Sequence, residues 1–359
     1  MFRSNKLWRS WLFSCSLTFI LSFTLLANPE QAHAVSRSLL THAQYVIKVD
    51  GFAGRRCLSS HGGIMKDVID QRIATRLVSK QFPQWAHLDI RPVALGGWDN
   101  KTFHLGKDMT LRFPNAAAYA GQVTKEQKWL PRMASSLPLQ IPKALALGEP
   151  GYGYSWHWSV YNWINGDTAA ASRSIDKNTL AVDLSRFLTA LYKIDITDGP
   201  KAGEHNFYRG GNLLVYENET LGALKSLKSK LDANLCRRIW DAGAGTNWNH
   251  NHVWVHGDIS PGNLIIFGGR LSAVIDFGLL SVGDPSCDLA IAWTYFDRDS
   301  RKYFREGLPI DDDAWKRGRS WALWKALILA AEIASSNPVE TALSKRVINE
   351  IIEDYGRNK

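Results

Sequence analysis

The sequence predicts an α+β protein in two lobes: an N-terminal lobe (residues 65–165) with an antiparallel sheet plus a helix, and a mostly helical C-terminal lobe (residues 166–359). Three observations predict it. Short apolar runs separated by glycine turns fill the stretch from Ile90 to Ile164, the pattern of small antiparallel strands. Leucines at helical spacing dominate after Asp176. Between them in character lies His252 to Asp288, a strand–loop–hairpin–loop segment rich in Asp, Asn and Gly. With 359 residues, 45% of them apolar, and 15 Trp, the chain is long and apolar enough to bury a full core.

Charge and cysteine content exclude several classes. Of the formal net charge of +9, residues 1–64 carry +5, so the remaining +4 is a modest excess that implies no nucleic-acid partner. Cys15, Cys57, Cys236 and Cys287 form no CxxC and have no histidine at metal spacing, which argues for free thiols rather than a disulfide framework or a zinc site.

Residues 1–34 read as a signal-like leader or a mistranslated one: Arg3, Lys6 and Arg9, an apolar run from Trp11 to Ala27, then Ala32-His33-Ala34. The run is short for a span of roughly 20 residues. Residues 35–64 show no period and are expected to be an unstructured extension. The lobe pattern starts near Met65, so a functional start there and a cytoplasmic location are the expectation. The alternative is export or membrane tethering through residues 1–34.

In the N-terminal lobe, Ile69, Ile73, Leu77 and Val78 recur at helical spacing up to Pro83. A strand from Ile90 ends in Gly96-Gly97, and KTFHLG and MTLRFP form a hairpin about Gly106-Lys107-Asp108. Such a unit can lay its backbone over phosphates. Arg112 closes this hairpin and Glu126, on the following helix from Ala120 to Leu130, is its natural ion-pair partner. Residues 142–148 and 159–164 supply two more strands, with Gly166 as the hinge.

In the C-terminal lobe, Asp176 caps a helix bearing Leu180, Leu184, Phe187, Leu188 and Leu191. A second helix is predicted from Asn218 to Trp240. Val253–Val255 then leads into His256-Gly257-Asp258, and residues 264–267 and 271–275 form a hairpin about Gly268-Gly269-Arg270. The hairpin places Asn263 beside Asp276. A carboxylate for the acceptor hydroxyl (Asp258), with an amide oxygen and a carboxylate for a hard cation (Asn263, Asp276), is the set that phosphoryl transfer requires.

These residues, in this order, resemble the catalytic core of the aminoglycoside phosphotransferase family, small-molecule kinases related to the protein kinases; the resemblance spans about 65–330. It implies a two-lobed protein-kinase-like fold, ATP or GTP as donor, Mg2+, and a small-molecule hydroxyl acceptor. It further implies that Gly96, Gly97, Arg112 and Glu126 clamp the phosphates and that the connector with Tyr161 and Trp163 meets the purine. Ordinary core packing is the other reading of those two aromatics. His256 is expected to pack and bond to the metal loop, and Asp288 to hold the catalytic loop.

The chain departs from protein kinases in having Arg112 where a Lys is usual and Gly257 where many have Arg. Only residues 279–287 separate Gly278 from Asp288, too few for an activation loop or peptide platform. For the acceptor, Asp297, Asp299 and Asp311 to Asp313 suit either a polycationic aminoglycoside or a solvated helix start. Trp315, Trp321 and Trp324 suit either a macrolide or the core. A non-catalytic nucleotide-binding or ligand-sequestering protein is the competing class.

Overall fold

The computed structural model describes residues 69–94, 99–172, 175–334 and 338–357. The leader, the extension and the Gly96-Gly97 pair lie outside these residues. Helix α1 (Gln71–Gln81) starts where the Asp70 carboxylate accepts the Ile73 amide hydrogen at 2.8 Å. Ala74, Leu77 and Val78 form its buried stripe. Strands β1 (Ile90–Pro92), β2 (Asn100–Leu105), β3 (Met109–Pro114), β4 (Ala144–Gly148) and β5 (Trp158–Asn162) make one antiparallel sheet in the order β1-β2-β3-β5-β4. The predicted strand from Ile90 is paired over three residues only.

Period-two alternation decides the sheet's faces. Phe103, Leu105, Leu111 and Phe113 turn inward with Trp158 and Val160 against α1, while Arg112 falls between Leu111 and Phe113 and so points to the other face. Helix α2 (Ala117–Met133) carries Glu126 and ends in Trp129, Leu130 and Met133, which belong to the core of the second lobe.

The second lobe packs α3 (Lys177–Leu191), α4 (Glu217–Leu227), α5 (Ala233–Ala244), α6 (Ile291–Thr294), α7 (Arg298–Glu306), α8 (Asp312–Ala330) and α9 (Pro338–Arg357) around one apolar core. The Asp176 cap and the buried Leu/Phe stripe of α3 are as predicted. The helix predicted from Asn218 to Trp240 is two helices. The chain turns at 228–232, and the Asp232 carboxylate accepts the Leu235 amide hydrogen at 2.9 Å to start α5 afresh. A local cap outweighs a continuous leucine spacing here.

Two small sheets carry the functional loops. Strand β6 (Asp167–Thr168) pairs with β8 (Leu264–Phe267), which pairs with β9 (Arg270–Val274). Strand β7 (Val253–Val255) pairs with β10 (Ser281–Gly283). Gly166 has φ of 136°, and a Cβ there would stand 2.5 Å from the Ile266 carbonyl oxygen, so the lobe junction requires glycine. Helix α9 is held by Arg301, whose guanidinium meets Asp354 at 2.9 Å and Glu350 at 2.5 Å. Among the described residues Cys236 and Cys287 are buried free thiols, and no helix is long and apolar enough to cross a membrane.

Candidate active site

The β7 strand delivers a loop that is fixed on every side. Gly257 has φ of 86°, and a Cβ on it would lie 2.6 Å from the Leu279 carbonyl oxygen. Asp288, fully buried, accepts the His256 and Gly257 amide hydrogens on separate oxygens, each at 2.8 Å. His256 Nε2 stands 3.1 Å from the Ile275 carbonyl oxygen, and its Nδ1 accepts from the Asp258 amide at 3.2 Å. That pairing requires the neutral tautomer with hydrogen on Nε2, and burial lowers this imidazole's pKa to about 4. His256 and Asp288 are thus both tied by hydrogen bonds to the backbone around this loop.

Asn263 closes the one-turn 3-10 helix that follows (Pro261–Asn263). Its side-chain amide donates to the Asp258 backbone oxygen at 2.9 Å and to Asp258 Oδ2 at 3.0 Å. Its own carbonyl accepts the Ile275 amide hydrogen at 2.9 Å, which fixes it beside the end of β9. The hairpin between β8 and β9 turns through Gly268 and Gly269, with φ of 59° and 77°. Asp276 follows with φ of 66°, a left-handed conformation that an aspartate adopts at a cost, and a recurrent mark of functional loops.

Asp276 Oδ1 accepts from Arg112 Nη2 at 2.7 Å, and Arg112 Nη1 reaches Glu126 Oε1 at 3.3 Å. One guanidinium thus joins β3, α2 and the loop after β9. The two acids respond differently. Burial raises the pKa of Glu126 despite Arg112. For Asp276 burial pushes the same way, but the closer Arg112 overrides it and holds the carboxyl below its ordinary range. The Asp258 carboxyl is raised, by burial first and then by Asp276, against the opposing pull of Lys325, Arg209 and the Asn263 hydrogen bond.

Tyr161 takes the core reading: it is buried in β5 between β3 and β4, and its hydroxyl donates to Glu126 Oε2 at 2.6 Å. Trp163 lies past the strand with its amide donated to the Asp108 carbonyl at 2.7 Å and its ring 4.2 Å from that of His104.

Three residues beyond those singled out in the sequence join the site. Asp99 lies near Asp276, Asp258 and Arg112; burial and the Asp276 charge push its carboxyl up to about 7. Arg209 lies against Gly257, and Lys325 acts on Asp258 from α8. A signal existed for each: Asp99 follows the glycine pair at two residues' distance, Arg209 sits in a glycine-rich loop, and Lys325 interrupts an apolar helix run.

Four of the five acidic residues offered as an acceptor pocket are engaged by caps or ion pairs, and Asp299 lies exposed in the first turn of α7. Asp297 and Asp311 cap α7 and α8. Asp311 also meets His250 at 2.8 Å, Asp312 meets Arg305, and Asp313 meets Lys316 at 2.8 Å. Trp315, Trp321 and Trp324 are buried in the core.

Residues 89–321, more than half of the chain, match the phosphotransferase enzyme family, APH. The chain belongs to that family. It is a small-molecule phosphotransferase, and its solved neighbours share the kinase-like architecture. One is a GDP complex of a mutant aminoglycoside 2'-phosphotransferase IIIa, at 17% identity and a TM-score of 0.63, covering 81% of this chain and 100% of that one. A thermostable mutant of the aminoglycoside phosphotransferase APH(4)-Ia aligns at 16% identity and 0.56, covering 78% and 99%. The macrolide 2'-phosphotransferase type I aligns at 17% and 0.52, covering 77% and 97%. No curated protein matches the sequence.

Proposed function

We propose that this phosphotransferase moves the γ-phosphoryl group of ATP or GTP to a hydroxyl of a small molecule. The arrangement that carries the reading is Asp258, Asn263 and Asp276 on two tied loops, with Arg112 reaching Asp276 from the other lobe. Neighbours in complex with GDP, ADP and ATP agree with a nucleotide donor.

In the transfer, the acceptor oxygen forms a bond to γ-phosphorus while the bond from phosphorus to the β-γ bridging oxygen breaks, releasing the nucleoside diphosphate. Asp258 accepts the hydroxyl hydrogen bond and takes the proton late, because an alcohol is too weak an acid to ionise beforehand. Asn263 holds one Asp258 oxygen through its amide, which leaves the other oxygen to face the hydroxyl. Neutral His256 and Asp288 keep the backbone of this loop from shifting.

The residues present fit Mg2+. The Asn263 nitrogen is committed to Asp258, so its amide oxygen is the end available to a cation, and Asp276 is held ionised nearby. Among the described residues no cluster of three or more His, Cys, Asp or Glu forms a metal cage, which accords with an ion that takes its other oxygens from phosphates and water. Bound there, Mg2+ would supply charge neutralisation to the phosphates. Arg112, paired with Glu126, would add a fixed positive charge from the N-terminal lobe.

The test is nucleotide turnover, with ATP and with GTP, in the presence and absence of hydroxyl acceptors, for the native chain and Asp258→Ala. The variant should lose about 10²- to 10⁴-fold in turnover, the usual contribution of a positioned base, while nucleotide binding and unfolding stay near native. Undiminished turnover removes Asp258 from this role. Nucleotide binding with no turnover under any acceptor would favour the non-catalytic class.

A further inference from the structure

Two cations, Arg209 and Lys325, act on Asp258 from elements packed around it. Arg209 runs along the catalytic turn so closely that a Cβ on Gly257 would stand 3.1 Å from Arg209 Cβ. Its guanidinium lies over the rings of Trp321 and Trp324, at 5.0 and 5.2 Å. Tyr216 stacks on Trp324 at 3.8 Å, and Trp324 Nε1 donates to Glu219 Oε2 at 3.0 Å. The arginine is therefore held on an aromatic platform, whose acid, Glu219, bonds the indole and also lies in the field of Arg209.

Lys325 follows Trp324 on α8. Every residue from Arg317 to Ala330 is buried except Lys325, so the helix opens to solvent at this one position along that run. Both cations act on Asp258, the group that meets the acceptor hydroxyl. Four of the five acids that suited either a polycation or a helix start cap α7 and α8 or pair with His250, Arg305 and Lys316.

We propose that Arg209 and Lys325 form an anion-recognising wall of the acceptor site, and that the acceptor is a hydroxy compound bearing a carboxylate or phosphate group rather than a polycation. The inference rests on the phosphotransfer reading above and adds the acceptor's charge to it. The two cations divide the task by chemistry. Arg209 is a fixed planar fork, and Lys325 is a point charge on a flexible stem that can follow acceptors of different length.

The experiment uses the full chain, Lys325→Met and Lys325→Glu with Mg-ATP and Mg-GTP. Four acceptor sets are compared: hydroxycarboxylates, sugar phosphates, uncharged sugars and polycationic aminoglycosides. Carboxylate and phosphate arms separate the two sources of negative charge. Native protein should transfer to at least one anionic set. Lys325→Met should raise KM for that set about 10- to 100-fold, as loss of a charged hydrogen bond does, with a much smaller change in kcat. Lys325→Glu should raise it further and relatively favour cationic acceptors.

Transfer confined to polycations or uncharged sugars overturns the proposal, and so does nucleotide hydrolysis that no anionic compound accelerates. A Lys325→Met effect on kcat alone, equal for all acceptors, also overturns it, since the lysine would then serve the reacting groups generally. If the native protein neither binds nor hydrolyses nucleotide, the phosphotransfer reading itself has failed, a result separate from a wrong acceptor class. Lys325 is partly exposed, and the methionine variant carries the test if the charge reversal impairs folding.

Discussion

Replacing Arg112 by Met isolates the ion pair that links the two lobes. In the native chain the Arg112, Glu126 and Asp276 side chains are 14%, 5% and 18% exposed, so the guanidinium is the main compensation for two largely buried carboxylates. Removing one partner of such a group costs about 3–5 kcal/mol. The cost should depend on pH in a defined direction. Native Asp276 is held below its ordinary range, so its contribution is present above pH 4 and is lost as pH falls through the folded value. Without Arg112, burial prevails and both carboxyls titrate above their unfolded values, so the variant loses stability as pH rises. The gap between native and variant should therefore widen from about pH 5 to about pH 8. Urea unfolding followed by tryptophan fluorescence measures it. Adding Glu126→Gln to the variant should recover part of the loss, with a coupling of about 1–3 kcal/mol. A gap under about 1 kcal/mol, or one unchanged between the two pH values, would refute the assignment of Arg112 as the compensating charge.

Two further outcomes follow from the catalytic loop. Gly257→Ala combines a φ of 86° with a Cβ 2.6 Å from the Leu279 oxygen. It should cost more than the roughly 1–3 kcal/mol of a strained backbone alone and reduce kcat, read by urea midpoints and turnover. His256→Asn removes a group whose pKa falls from 6.5 to about 4 on burial. The native imidazole contributes stability that is full above pH 6.5 and is lost as pH falls toward 4, on the order of 3 kcal/mol. The difference between native and variant should shrink over that window, whereas a constant difference would mean that His256 is not buried in neutral form. Asp288, raised to about 7 by burial, acts in the opposite sense over the same range, so the difference between proteins, not the native curve, is the informative quantity.

Local chemistry decided what could be read in advance. The hairpin that joins Asn263 to Asp276 is dictated by two adjacent glycines and alternating apolar residues, and the α3 cap by Asp176, signals contained within a few residues. The break between α4 and α5 was missed because leucine spacing continues across it while Asp232 restarts the helix. Lys325 and Arg209 were missed for a different reason. They are separated from Asp258 by 67 and 49 residues, and only the packing of α8 and the 200–211 loop brings them to it. For Asp311 to Asp313 the sequence left a pocket and a solvated helix start both open, because it shows acids but not the partners that occupy them.

The arginine that replaces the usual lysine also gains a physical reason from the geometry. Arg112 bonds Glu126 through Nη1 and Asp276 through Nη2, two acids that approach from different lobes. A lysine ammonium is one point charge with rotatable donors, and it would hold either acid tightly or both loosely. The rigid fork holds both at once and stays charged however deeply it is buried. It therefore sets the distance between α2 and the loop carrying Asp276 as well as neutralising them. On this reasoning Arg112→Lys keeps the charge and loses the spacing, so its defect should lie in the alignment of Asp276 more than in stability, the reverse of the balance expected for Arg112→Met.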